Sequence, residues 1–190
     1  MNCLTLNLRG AGDAYKGDWV RKIKRDYQIN FISCQETQMV DAEKIIIEWF
    51  WDNSSFRAAK VGSIGRSGGL FCIWNPELLR HCEVITNDFY IVVSGVCKGV
   101  PEKINLLNIY APNDPVLRQT VWNSLLQLIK SKEGMWLLMG DYNEVRRKEE
   151  RFSEKVCISS MRAFNDFIRE AGLLDFNMGG RKFTRMSDDG

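Results

Sequence analysis

Residues 135–143, MWLLMGDYN, set the reading of the whole chain. Five apolar residues, Met135 to Met139, stop at Gly140-Asp141-Tyr142-Asn143. A short apolar run closed by glycine and polar residues has the pattern of a buried strand opening into a loop. The loop sets a carboxylate, Asp141, and a carboxamide, Asn143, two positions apart. Open α/β sheets tend to place their ligands at strand ends of this kind.

The same pattern recurs upstream. Residues 1–8 read as a strand closing at Asn7-Leu8-Arg9-Gly10, and residues 29–34 as one closing at Gln35-Glu36-Thr37. Residues 104–110 end in Tyr110, just before Ala111-Pro112-Asn113. Further strands are expected over 56–61, 70–74, 82–86 and 89–96. Between 56–61 and 70–74, a glycine-rich stretch, 62–69, reads as a flexible loop holding Arg66. Apolar spacing predicts one helix capped by Asp18 and running to about Tyr27, and another starting at Asp41 with Ile45, Ile46, Trp49 and Phe50 inward. A third opens at Asp114-Pro115 and runs to about Lys130, with Leu117, Val121, Trp122, Leu125, Leu128 and Ile129 as its stripe. A fourth spans about 159–171 and stops at Gly172. The charged segment 146–155 reads as a mobile loop, and 173–176 with 183–184 as a last strand or turn unit. Strands paired with helices, then a run of strands in the middle, imply two sheets with helices outside them.

Composition narrows the class. The 190 residues are 45% apolar and 26% charged, which suits one folded domain, and a net charge of +2 identifies no partner. Basic clusters at 21–25, 146–148 and 181–182 read as solvated faces before they read as phosphate sites. The six cysteines show no CxxC spacing, and five lie in strand-like runs, as free thiols of an intracellular protein would. No apolar run approaches the ~18 residues of a membrane span. The strand-end groups Asn7, Glu36, Tyr110 with Asn113, and Asp141 with Asn143 are oxygen-rich. Mg²⁺ takes such ligands and keeps several waters. Each taken alone has a plainer reading as a turn residue, a packed aromatic or a cap.

Together they carry a resemblance. The ordered motifs LNLRG (6–10), CQET (34–37), GGLFCIW (68–74), NIYAPN (108–113) and GDYNEV (140–145) resemble the endonuclease/exonuclease/phosphatase superfamily. AGLLDF (171–176) and GGRKFT (179–184) extend the likeness nearly end to end. The sequence most resembles the endonuclease domain of plant LINE-type non-LTR retrotransposons. The resemblance implies a four-layer α/β sandwich, two β-sheets face to face with helices outside, as a single domain over 1–190. It implies Asn7 and Glu36 as ligands of Mg²⁺, with Mn²⁺ as the alternative ion. Tyr110 would touch the scissile phosphate, with Asn113 supporting its loop. Asp141 would orient and deprotonate the attacking water, and Asn143 would hydrogen-bond the phosphate. Apart from the resemblance, Arg66 in the stretch 62–69 would suit a phosphate backbone, or equally a phosphoinositide head group. The implied activity is hydrolysis of DNA phosphodiesters by a monomer in the nucleus or cytoplasm. A phosphoinositide or phospholipid-type phosphatase and a non-catalytic remnant that binds nucleic acid weakly are the rival readings.

The sequence also departs from the family pattern. Leu6 stands where the family has Trp, Tyr142 where it has Phe, and Arg185 where Trp is common. Family members close with an Asp-Arg strand and a Ser-Asp-His motif, and neither precedes Gly190. The expectation is therefore a domain incomplete at its C-terminus, lacking the last strands of the second sheet and slowed in catalysis. Loss of one electrostatic donor of that kind costs roughly 10²–10³ in rate. The single histidine, His81, matches no catalytic position and reads as structural.

Overall fold

A computed structural model describes residues 1–65, 67–150 and 157–176. They fall into two compact units. One joins Met1–Pro112 to Lys132–Tyr142; the other joins Asn113–Ser131 to the described part of Asn143–Gly190.

The first unit contains eight strands: β1 (Cys3–Asn7), β2 (Phe31–Gln35), β3 (Arg57–Ile64), β4 (Ser67–Trp74), β5 (Leu79–Asn87), β6 (Tyr90–Cys97), β7 (Lys103–Tyr110) and β8 (Met135–Asp141). They form two four-stranded sheets, ordered β1-β2-β4-β3 and β5-β6-β7-β8. Each sheet has one parallel pair, β1 with β2 and β7 with β8, beside antiparallel neighbours. Parallel neighbours require a crossover. The chain supplies helix α1 (Ala14–Asp26) between β1 and β2, and α2 (Pro115–Ser131) between β7 and β8. Both members of each pair therefore end side by side, Asn7 opposite Gln35 and Tyr110 opposite Asp141.

The strands alternate as a sandwich requires. Along β4, Leu70, Cys72 and Trp74 face a core shared with Leu79, Ile91, Val93 and Leu106 of the second sheet. Phe71 and Ile73 face the opposite core, with Val20 of α1 and with Ile47, Phe50 and Trp51. The α/β sandwich of two sheets expected from the sequence is present.

Several local expectations are corrected. Asp13, not Asp18, caps α1, its carboxylate accepting from the Tyr15 amide at 2.9 Å. The glycine inside the helix, Gly17, hid its first turn, and Asp18 pairs with Arg21 instead. No α-helix follows Asp41; two single 3₁₀ turns, Ala42–Lys44 and Ile47–Trp49, take its place. Three consecutive β-branched residues, Ile45, Ile46 and Ile47, are poor helix formers. Ile45 and Ile47 are buried while Ile46 is exposed, an alternation that no helical stripe provides. Within the stretch expected to be a flexible loop, 62–64 and 67–69 instead belong to the paired strands β3 and β4, with Ser63 opposite Gly68 and Ile64 opposite Ser67.

In the second unit, Asp114 caps α2 by accepting from the Val116 and Leu117 amides at 3.0 and 2.8 Å. Trp122 lies with its ring centroid 5.1 Å from Phe164 and 5.2 Å from Phe167 of helix α3 (Ile158–Glu170). Leu117, expected inward, is half exposed, and Arg118 is buried instead. Of the segment 146–155, expected to be a mobile loop, residues 146–150 hold defined structure, and 151–155 lie outside the described residues. Lys148–Glu150 form a 3₁₀ turn, and the Arg146 guanidinium donates to Asn165 Oδ1 at 3.0 Å. Residues 173–176 form no strand, and 183–184 lie outside the described residues. No helix among the described residues is long and apolar enough to cross a membrane.

Candidate active site

Two edge strands, one from each sheet, meet at their ends. Asn7 Nδ2 donates to Asp141 Oδ2 at 3.0 Å. Each of these residues ends a strand of a parallel pair, so the contact also gathers their neighbours. Glu36 follows directly on Gln35, the register partner of Asn7, and Tyr110 is the register partner of Asp141. Tyr110 is buried, and its hydroxyl lies 3.4 Å from Ser67 Oγ in the β3–β4 hairpin. The Asp141 carbonyl accepts from the Ala111 amide at 2.9 Å, which extends the β7–β8 ladder past the site. Gly140 makes this possible. It sits at φ 133°, and a Cβ there would fall 2.0 Å from the Ile109 carbonyl oxygen.

On the other side, Glu36 adopts φ 52°, a left-handed conformation rare for a residue with a side chain. Neighbouring backbone holds it there. The Leu8, Gly10 and Ala11 amides donate to the carbonyls of Gln35, Glu36 and Thr37 at 2.9, 2.7 and 2.9 Å. The Thr37 amide donates in turn to Gly69 at 3.2 Å. Gly69 is confined to glycine, since a Cβ would lie 2.1 Å from Thr37 Oγ1.

Beneath these ends lies a buried polar network whose residues the sequence reading left without a role. Gln35 Nε2 donates to Asn108 Oδ1 at 2.6 Å and to Ser33 Oγ at 3.0 Å. Asn108 Nδ2 donates to the carbonyls of Cys34 and Phe71, each at 3.0 Å. Gln35, Ser33 and Asn108 are almost wholly buried, so the network joins β7 to β2 and β4 inside the sandwich. A signal was available: Asn108 stands at an inward position of the apolar strand KINLLNIY, between Leu106 and Tyr110. Burial pushes the Cys72 thiol up to about 12, a hydrogen bond with Asn108 only partly offsetting it, and leaves it an inert core group.

The donors at the strand ends suit a hard cation. Among the described residues, no three His, Cys, Asp or Glu side chains gather as a metal cluster. Glu36 and Asp141 nevertheless supply two carboxylates, and Mg²⁺ is commonly held by one or two, its remaining positions filled by water. Glu36 is half-buried, and its carboxylate has no hydrogen-bond or ion-pair partner among the described residues. The carboxylate is therefore available to a cation. The Asn7 Oδ1 oxygen accepts from the Arg9 amide at 3.2 Å, which fixes the orientation of the amide toward Asp141.

Asn113 and Asn143 belong to the second unit. Asn143 has φ 48°. The Asn113 carbonyl accepts from Arg118 Nη1 at 2.9 Å, and Arg118 Nη2 donates to Glu144 Oε2 at 2.7 Å and Ser160 Oγ at 2.8 Å. Arg118 thus ties together the segments that begin with the two asparagines. Arg66 lies outside the described residues. His81 is exposed, its ring edge-on to Trp74 at 5.3 Å.

No protein-family model matches the sequence, and no curated protein does either. Solved structures do match the fold. The AP endonuclease LMAP from Leishmania major superposes with a TM-score of 0.69 at 11% identity, over 89% of this chain and 65% of that one. The endonuclease domain of TRAS1, a telomere-specific non-LTR retrotransposon, gives 0.64 at 16% identity, over 93% and 73%. A 3′ phosphatase from Neisseria bound to a product DNA hairpin gives 0.64 at 14%, over 88% and 70%. The chain spans about two thirds of the length of the first of these. At such identities the likeness establishes a shared α/β-sandwich fold.

Proposed function

We propose that this chain carries the site of a divalent-metal-dependent phosphodiesterase that cuts DNA, of the retroelement endonuclease type. The observation that carries the reading is the 3.0 Å hydrogen bond from Asn7 to Asp141, which joins the ends of β1 and β8, with Glu36 following the register partner of Asn7 and Tyr110 the register partner of Asp141. The motif resemblance, and the fold shared with AP and retrotransposon endonucleases, support it.

Glu36, with Asn7 beside it, would hold Mg²⁺ or Mn²⁺. When bound, such an ion neutralises charge on a phosphoryl oxygen. Asp141, oriented by the hydrogen bond from Asn7, would accept a proton from the attacking water. The Tyr110 hydroxyl donates to a phosphoryl oxygen as charge builds there. From the sequence resemblance, Asn143 would add a second donor and Asn113 would support the Tyr110 loop; Arg66, in the glycine-rich stretch 62–69, would meet the substrate backbone.

Nicking of supercoiled plasmid with Mg²⁺ tests this. Asp141→Asn lowers the rate by about 10²–10⁴, the usual contribution of a positioned acid or base, and Glu36→Ala lowers it by weakening the hold on the ion. Phosphate release from inositol phosphates without nicking would transfer the site to phosphatase chemistry. Salt-sensitive DNA binding without nicking, indifferent to Glu36→Ala, would reduce the chain to a binding module.

A further inference from the structure

The loop between Asn7 and α1 closes on a single lysine. Lys16 Nζ donates to three successive carbonyls, those of Leu8 at 2.9 Å, Arg9 at 3.0 Å and Gly10 at 2.9 Å. An ammonium has three N–H donors and no acceptor, so this tripod uses its whole capacity. In a trans peptide the carbonyl and the following N–H point in opposite directions. The same three peptide units therefore turn their N–H groups away from Lys16. Each meets an acceptor in or beside the site: the Arg9 amide donates to Asn7 Oδ1 at 3.2 Å, Gly10 to the Glu36 carbonyl at 2.7 Å, and Ala11 to the Thr37 carbonyl at 2.9 Å.

We infer that Lys16 is the positioning residue of the cation side of this site. Its charge aligns three peptide dipoles, and their far ends fix the Asn7 side chain and the left-handed backbone of Glu36. It acts through the loop and touches neither cation nor substrate. This rests on the reading of Glu36 as a metal ligand, but the hold on the loop is measurable without it.

The experiment uses the full chain as Lys16→Met and Lys16→Ala, with the exposed Lys22→Met as control, and has two readouts. Hydrogen exchange of residues 8–11 is expected to speed up at least tenfold in both Lys16 variants and to stay unchanged in Lys22→Met. Mn²⁺ affinity, read by calorimetry, is expected to fall about 10–100-fold, as when groups that orient metal ligands are removed. In Lys16→Ala, added methylammonium restores protection and affinity, because it refills the tripod, whereas tetramethylammonium, which has no N–H, does not. Unchanged exchange in both Lys16 variants, or equal rescue by the two ammonium ions, overturns the inference. If the unaltered chain binds no Mn²⁺, the metal-site reading fails, while the exchange result still decides what Lys16 does.

Discussion

The two pairs of parallel strand ends carry the same kind of residue but are held by different means. At β7 and β8 the sheet itself does the holding. Tyr110 and Asp141 are register partners, the ladder continues through Ala111, and Gly140 lets β8 approach β7 closely. At β1 and β2 the ladder stops at Asn7 and Gln35, and a polar loop takes over, threaded by amide hydrogen bonds and centred on the Lys16 ammonium. The end that would carry the general base is fixed sterically, and the end that would carry the cation electrostatically. Perturbations should therefore separate: bulk should damage the first end, and charge or donor loss the second.

The largest effect is expected at Gly140. Gly140→Ala drives a methyl into the Ile109 carbonyl and forces a positive φ on a residue with a side chain. Backbone strain and overpacking together cost about 4 kcal/mol. That lowers Tm by roughly 10 °C in a domain of this size. Thermal unfolding checks the stability, and hydrogen exchange checks the locality. Residues 136–141 should lose protection while residues 8–11 keep theirs. Equal loss at both ends would mean that they do not behave as separately held elements.

Asn108 is where the two ends share a support, and its effect ranks next. Asn108→Ala removes the acceptor of Gln35 Nε2 and the donor to two backbone carbonyls. Leaving such buried groups unpaired costs about 3 kcal/mol in total. Both ends should loosen together, unlike in Gly140→Ala. The thiol of Cys72, inert while buried, reports the opening, so native-state alkylation at Cys72 should accelerate while that at exposed Cys82 does not change. A stable variant with Cys72 still protected would show that the network is not a shared support.

How legible each end was follows from the range of the interactions that build it. The strands β2, β4, β7 and β8 announced themselves as apolar runs, and the polar residues closing them were readable as candidate ligands. Their meeting was not. The Asn7–Asp141 contact spans 134 positions, and no local pattern encodes a register between two sheets. Lys16 escaped for a different reason. A lysine in the first turn of a basic, amphipathic helix looks like any solvated one, and only the folded loop shows its three acceptors. Residues 41–50 misled because apolar spacing alone does not separate a helix from two 3₁₀ turns, although the triple isoleucine argued against a helix. The glycines of 62–69 suggested looseness where Gly69 in fact permits a close approach to Thr37.

The smallest effect concerns the far end of α1, and it isolates charge from shape. Lys24 Nζ lies 2.5 Å from Asp52 Oδ2 and 4.1 Å from the centroid of the Trp51 ring. Burial raises the Asp52 pKa, but hydrogen bonds from Lys24 and Ser54 outweigh it and bring it to about 2, below the ordinary carboxylate value of 3.8. A carboxylate with a depressed folded pKa contributes stability above its unfolded value and loses it as pH falls through the folded one. The contribution should be whole above about pH 4 and gone near pH 2. Asp52 is substantially exposed, so solvent screening keeps it under about 1 kcal/mol. Asp52→Asn preserves an oxygen for the Ser54 amide and removes only the charge. Its Tm should lie slightly below that of the unaltered chain at pH 6, with the gap closing by pH 2 and narrowing in high salt. A gap that persisted at pH 2 would assign the contact to packing of Lys24 on Trp51 rather than to the ion pair, and α1 would then be fastened by shape at this end and by charged donors at Lys16 and at Arg21, which donates to the Trp49 carbonyl.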